Sequence, residues 1–142
     1  MHRIVLVTLN KNEAQTSVAA RQAVLDYLDE QGFADNEGRF HDGWCDSFEI
    51  GGRFTGYLDD PEGSPDKRKC EPDLVNDDDA QVVTAGLYER HLRQFEGESE
   101  VYRLKAEYGD DDPEIGFLDT DGDEVGPDFI GNKWLVVLDT HE

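Results

Sequence analysis

Apolar positions fall into short stretches along the chain whose spacing alternates between the period of a strand and that of a helix. Residues 3–9, Arg-Ile-Val-Leu-Val-Thr-Leu, form an unbroken run of β-branched and aliphatic side chains, which predicts a buried first strand. From Ala14 to Glu30 the spacing changes, with Val18, Ala19, Ala23, Leu25 and Leu28 approximating one helical stripe and Gly32 supplying a stop. Residues 33–43, rich in Gly, Asp and Asn, read as loop. Residues 44–54 carry Trp44, Phe48, Ile50 and Phe54 among polar residues and predict a second strand ending at Gly51-Gly52. Between Leu58 and Asp79 no period survives, and Pro61, Gly63, Pro65 and Pro72 break any regular element. A short strand is expected over 80–84. Thr84 is then a candidate N-cap for a helix to Phe95 with Leu87, Tyr88, His91, Leu92 and Phe95 on one face and Gly97 ending it. Residues 101–106, 115–118 and 134–138 are the last strand candidates, Trp-Leu-Val-Val-Leu having the character of a central strand.

This order predicts an α+β fold in a single domain spanning residues 1–142. The expected architecture is a mainly antiparallel sheet of four to six strands with two helices on one face, a ferredoxin-like variant with acidic loops inserted at about 59–79 and 107–128.

Charge changes this picture more than composition does. The formal net charge is −21, with 34 acidic residues against 13 lysines and arginines. Residues 59–79 hold nine acids against Lys67, Arg68 and Lys69, and residues 107–128 hold ten acids and no base, whereas the remaining 99 residues are close to balanced. Acidity is therefore a property of two segments. A surface of this sign disfavours direct contact with nucleic acid, whose phosphates are bound by Lys and Arg, and disfavours anionic membranes. It favours basic protein surfaces. The apolar run at residues 4–9 is too short for a membrane span or a signal segment, and Cys45 and Cys70 lack the spacing of a disulfide framework or zinc ribbon; the expected location is the cytoplasm.

The most distinctive string is Asp46-Ser47-Phe48-Glu49-Ile50-Gly51-Gly52-Arg53-Phe54-Thr55-Gly56. Three glycines within six residues mark a sharply bent backbone, with Arg53 and Glu49 available to recognise a carboxylate or phosphate, or to pair within the protein. The spacing is neither that of a Walker loop nor of a dinucleotide fingerprint. The string resembles the Asp-Trp-aromatic-x-Ile-Gly-Gly-Arg-Trp-Ser/Thr-Gly core of small uncharacterised proteins of bacteria, phages and prophages, some of which share a strand-like first segment and an acidic Ala-x-x-Val-Thr stretch like residues 79–84. Ser47 and Phe54 stand where that pattern has tryptophans. The resemblance covers residues 1–95 and the last strand, and implies a mobile-element origin but no activity.

Asp119-Thr120-Asp121-Gly122-Asp123 places oxygen ligands at alternate positions, as an EF-hand loop begins. Gly falls at the fourth position instead of the sixth, and Ile130 stands where a bidentate Glu is needed, so an Asp-Gly turn joining two strands is the expected structure. His2, His41, His91 and His141 are scattered, and His91 is expected in the core or at its boundary. His41, Asp42, Cys45 and Asp46 lack the partners that a nucleophile or metal site requires. No catalytic residue, metal site or cofactor is expected.

The sequence thus predicts a non-enzymatic, acidic interaction protein of viral or mobile-element origin that inhibits a nucleic-acid-binding host defence complex, of the anti-CRISPR or anti-restriction kind, by mimicking nucleic acid. The expected contact residues are Asp110, Asp111, Asp112, Asp119, Asp121 and Asp123, with Asp77, Asp78 and Asp79 as a second patch and a basic protein surface as partner. The alternatives are a halophilic domain, for which 20 Asp against 14 Glu and only five Lys speak, and a ligand binder or enzyme built on Arg53 with Glu49, Gly51, Gly52 and Gly56.

Overall fold

The structure, a computed structural model, describes residues 2–30, 47–54, 56–59, 79–98, 103–104 and 115–141. It is an α+β fold built on one mixed sheet. The strands are β1 (His2–Asn10), β2 (Ser47–Ile50), β3 (Ala80–Val82), β4 (Arg103–Leu104), β5 (Ile115–Asp119) and β6 (Lys133–His141). Their order is β2-β6-β1-β5-β4, with β3 also pairing β6.

The expectation of a mainly antiparallel sheet is corrected at its centre, where β1 and β5 run parallel, Leu6 opposite Phe117 and Thr8 opposite Asp119. A parallel pair needs a crossover, and here it is supplied by everything between residues 10 and 115. β6 is central, as expected. It pairs antiparallel with β1 on one side and with β2 and β3 on the other.

Both faces of this sheet are covered, which overturns the expectation of two helices on one face and departs from the ferredoxin-like arrangement. The reason lies in the runs at residues 4–9 and 134–138, apolar at nearly every position instead of every second one, so both faces of each strand must be buried. Val5, Val7, Leu9, Leu118, Trp134, Val136 and Leu138 pack under α1 (Ser17–Glu30). Ile4, Leu6, Phe117, Leu135 and Val137 face the other way, under α2. This second helix opens as α over Ala85–Leu87, widens to π geometry over Tyr88–Leu92 and tightens to 3-10 over Arg93–Phe95. In the π turn the Arg93 N–H donates to the Tyr88 carbonyl five residues back.

The two helices differ in how well their sequence foretold them. In α2 the Thr84 hydroxyl caps the helix by accepting from the Leu87 N–H (3.2 Å), and Leu87, Tyr88, His91, Leu92 and Phe95 are all buried, as expected. In α1 the buried stripe is Ala20, Val24 and Leu28, spaced i, i+4, i+8, while Val18 is 53% exposed. The expected stripe was rotated because alanine and valine occupy both sides of this weakly amphipathic segment.

The acidic stretch 107–128 is not one loop. β5 interrupts it and carries Phe117 and Leu118 into the two cores. Of the expected strand at 44–54 only Ser47–Ile50 is strand among the described residues, and the chain turns at Gly52–Phe54. β2 and β3 lie end to end along β6: β2 pairs with residues 141–138, the Gly51 N–H donates to the Val137 carbonyl (2.8 Å), and β3 pairs with residues 136–134. They lie as two halves of one edge strand, with residues 51–79 between them in sequence. The loops expected over 33–43 and 60–78, and Cys45 and Cys70, lie outside the described residues.

The break needs glycine. Gly52 has φ +51°, and a Cβ there would lie 2.6 Å from Asp139 Oδ2, 2.6 Å from Glu49 Oε1 and 2.8 Å from Asp139 Cβ. Gly97, at φ +83° after α2, would meet nothing within 4 Å. Gly52→Ala combines left-handed strain with a steric clash and is expected to cost roughly 2–4 kcal/mol, against about 1–2 kcal/mol for Gly97→Ala, in urea unfolding; equal costs would show that the Asp139 contact does not constrain the turn.

Candidate functional site

Strand register places the site at one end of the sheet. Thr8 lies opposite Asp119 across β1 and β5, and Asn10 lies opposite Lys133 across β1 and β6. Direct cross-strand partners share a face, so these four side chains meet where the carboxyl ends of the parallel pair reach the surface. Because β1 lies between β5 and β6, the chain from Asp119 to Lys133 must pass over the end of β1. The Thr120 N–H fastens it to the Thr8 carbonyl (2.9 Å), and the Lys11 N–H donates to the Asn132 carbonyl (2.9 Å). The expected Asp-Gly turn is present, with Gly122 N–H donating to Asp119 C=O (3.1 Å), but the strands it serves are not neighbours.

Asp119 is fully buried, and every contact of its carboxylate is a donor. Oδ1 accepts from the Thr8 hydroxyl (2.6 Å), Oδ2 accepts from the backbone N–H groups of Asp121 (3.2 Å) and Asp123 (2.8 Å), and the Lys133 ammonium lies 3.1 and 3.4 Å from the two oxygens. Lys133, its side chain 5% exposed, also reaches Asp123 Oδ2 at 2.9 Å and Asp121 Oδ2 at 3.5 Å. Its Nζ stands 5.0 Å from the centre of the Phe129 ring. Asn10 donates to Asp121 from the side. Burial by itself would lower the lysine pKa, but the carboxylates of Asp123 and Asp119 outweigh it and hold the group above its ordinary value. The oxygens of the DTDGD loop therefore converge on an ammonium belonging to the same chain. The position a bound cation would take is filled by Lys133.

Beside this cluster is an open cleft of about 500 Å³ walled by Glu13, Asp26, Tyr27, Glu30, Thr120 and Asp121, with Leu9 and Ala23 as its apolar floor. It lies at the carboxyl ends of β1 and β5, where Leu9, Thr120 and Asp121 meet α1. The Tyr27 phenol is pushed up by burial and then by the Asp119 and Asp121 charges. A second groove of about 720 Å³, lined by Asn10, Lys11, Asn12, Gln15 and Asn132 around Trp134, has one cation and no carboxylate, so a basic group is drawn to the first.

The nine aspartates expected at a partner surface separate on this basis. Asp119 cannot touch a partner, and Asp79 is also buried, accepting from the Gly56 N–H (3.2 Å) to close the base of the first acidic segment. Asp121 and Asp123 are exposed while also contacting Lys133. Asp77, Asp78, Asp110, Asp111 and Asp112 lie outside the described residues, as does the Arg53 side chain. Glu49 is exposed, Gly51 is buried at the sheet edge, and Gly52 packs on Asp139. The sequence reading missed Thr8, Asn10, Tyr27 and Lys133. A signal for the last was present: Lys133 is the sole Lys or Arg between Asp119 and the final residue, placed directly before the most apolar strand.

Lys133→Met leaves a buried carboxylate without its counter-charge and is expected to cost about 3–5 kcal/mol in urea unfolding. Removing the exposed Arg93, which pairs with Glu89 at 2.7 Å, should leave the midpoint in place, and a Lys133 variant as innocuous as that one would contradict the assignment. No family model matches the chain, and neither a curated protein nor a solved structure is significantly similar to it.

Proposed function

We propose that the chain is a small acidic interaction protein of viral or mobile-element origin that inhibits a nucleic-acid-binding host defence complex by occupying its basic surface in place of nucleic acid. The reading takes residues 1–142 as one domain, with residues 59–79 as an acidic insertion and β5 crossing the second acidic stretch. The observation that carries it is the cleft in which Glu13, Asp26, Glu30 and Asp121 stand around an apolar floor beside the Tyr27 ring. Asp123, Glu124 and Asp128 continue the exposed carboxylates along the crossover, and Asp29 adds one on α1. A carboxylate array with apolar footing suits Arg and Lys side chains, whose stems pack while their heads pair.

Lys133 supports the reading from inside. By neutralising Asp119 within the fold, it lets the crossover hold its shape without drawing a base from the surface; Asp121 and Asp123 share its ammonium, while Glu13, Asp26, Glu30, Glu124 and Asp128 do not. Charge of this kind steers encounter with a basic partner and makes binding depend on salt. Asp77, Asp78, Asp110, Asp111 and Asp112 belong to the same proposal as further acidic contacts, with Asp119 and Asp79 withdrawn from it.

An affinity pull-down from the source host at two salt concentrations tests this. The expected result is a nuclease or CRISPR subunit retained at low salt and released at high salt. Combining Glu13→Gln, Asp26→Asn, Glu30→Gln and Asp121→Asn should weaken that retention at least about tenfold. Retention that ignores both salt and the four substitutions, but is abolished by Arg53→Gln, would overturn the proposal in favour of a site at the glycine turn.

A further inference from the structure

His91 sits in the π-helical turn of α2 and is 1% exposed. Its Nε2 lies 3.1 Å from the Leu58 carbonyl oxygen, an acceptor, so that nitrogen carries the proton. Nδ1 is then a bare acceptor, buried and without a hydrogen-bond partner among the described residues. The ring centre of Tyr57 lies 4.9 Å away, and among the described residues the charges that act on the imidazole are Arg90 on its own helix and Asp59 on the facing segment. A second proton would put an unpaired donor and a positive charge in this pocket, beside a guanidinium. The geometry therefore accommodates the neutral imidazole and rejects the imidazolium.

What His91 holds gives this a consequence. Phe54, Tyr57 and Leu58 are anchored in the core on the α2 side, and Asp59 follows directly as the start of the acidic segment 59–79. Turns tie the chain just before it internally, with the Tyr57 N–H donating to Phe54 C=O (2.9 Å) and the Asp59 N–H to Gly56 C=O (3.1 Å). Its links elsewhere include the Gly56 N–H to Asp79 and Gln81 to Asp59, both 3.2 Å. His91 fastens it to the helix, in a π turn, a geometry frequent at functional positions.

We propose that His91 is an acid-operated latch: neutral, it clamps the Tyr57–Asp59 foot of the first acidic segment to α2, and protonated, it releases that foot while the sheet stays folded. Burial holds the imidazole pKa below its ordinary value; the Leu58 carbonyl pulls the other way, Arg90 adds to the lowering and Asp59 opposes it. With the closed-state pKa depressed, the open state binds the proton more tightly. The clamp is at full strength above the ordinary histidine value and weakens as pH falls through that value toward the depressed one.

Amide hydrogen exchange of the full chain by NMR, read as protection factors between about pH 7.5 and about pH 5, tests the latch. The Tyr57 and Asp59 amides should lose protection by up to about tenfold per pH unit below about 6.5, while those of β1 and β6 keep theirs. His91→Gln retains a donor near Nε2 and cannot titrate, so its protection should stay flat across the range. Flat protection in the wild type, or an equal fall in His91→Gln, would overturn the proposal. The imidazole nitrogen shifts of the wild type give a reading independent of any variant. They should keep the Nε2–H tautomer until the two amides begin to open, and an imidazolium formed with both amides still protected would equally overturn it.

Discussion

A carboxylate and an ammonium buried against each other at one end of the sheet set the constraint on which this fold depends. Asp119 ends the strand parallel to β1, Lys133 begins the strand antiparallel to it, and the chain between them has to cross the end of β1. A loop in that position carries backbone N–H groups that no ladder satisfies. Asp119 accepts two of them, from Asp121 and Asp123, together with the Thr8 hydroxyl. An unpaired carboxylate in the interior is costly, and Lys133 supplies its counter-charge with the loop's remaining carboxylates around the ammonium. The crossover, the parallel pair and the cleft beside them rest on this one ion cluster.

The rest of the architecture follows from strands that are apolar on both sides. β1 and β6 offer no polar face to water, so α1 has to cover one side and α2 with the Phe54–Leu58 turns the other. The edge next to β6 is shared by β2 and β3, since an edge strand can be broken between Gly51 and Ala80 and resume along the same partner. Among the described residues the other carboxylates lie at or near the surface, with Asp119, Asp79 and Asp139 buried.

Much of this was legible in the residues. The run 134–138 reads as a central strand and is one, and the helix from Thr84 with its buried face is recovered side chain by side chain, since cap and apolar period agree there. What failed were inferences requiring three dimensions. An unbroken apolar run says that both faces are buried but not which helix lies on which, and a string of aspartates looks the same whether it faces solvent or an internal lysine fourteen residues later. Within the second acidic segment Asp121, Asp123, Glu124 and Asp128 are exposed, and Asp119 alone among its described acids turns inward, for the same reason. Asp119 belongs to the interior, and Lys133, the first residue of β6, is the partner that puts it there.

The most direct measurement of this account is heteronuclear NMR of the Lys133 side chain at neutral pH. An ammonium held by Asp119 and Asp123 should exchange its protons slowly enough to give its own Nζ signal, with coupling through the hydrogen bonds to carboxylate carbons. A Lys133 ammonium that exchanges as fast as an exposed lysine such as Lys11, with no carboxylate coupling, would contradict it.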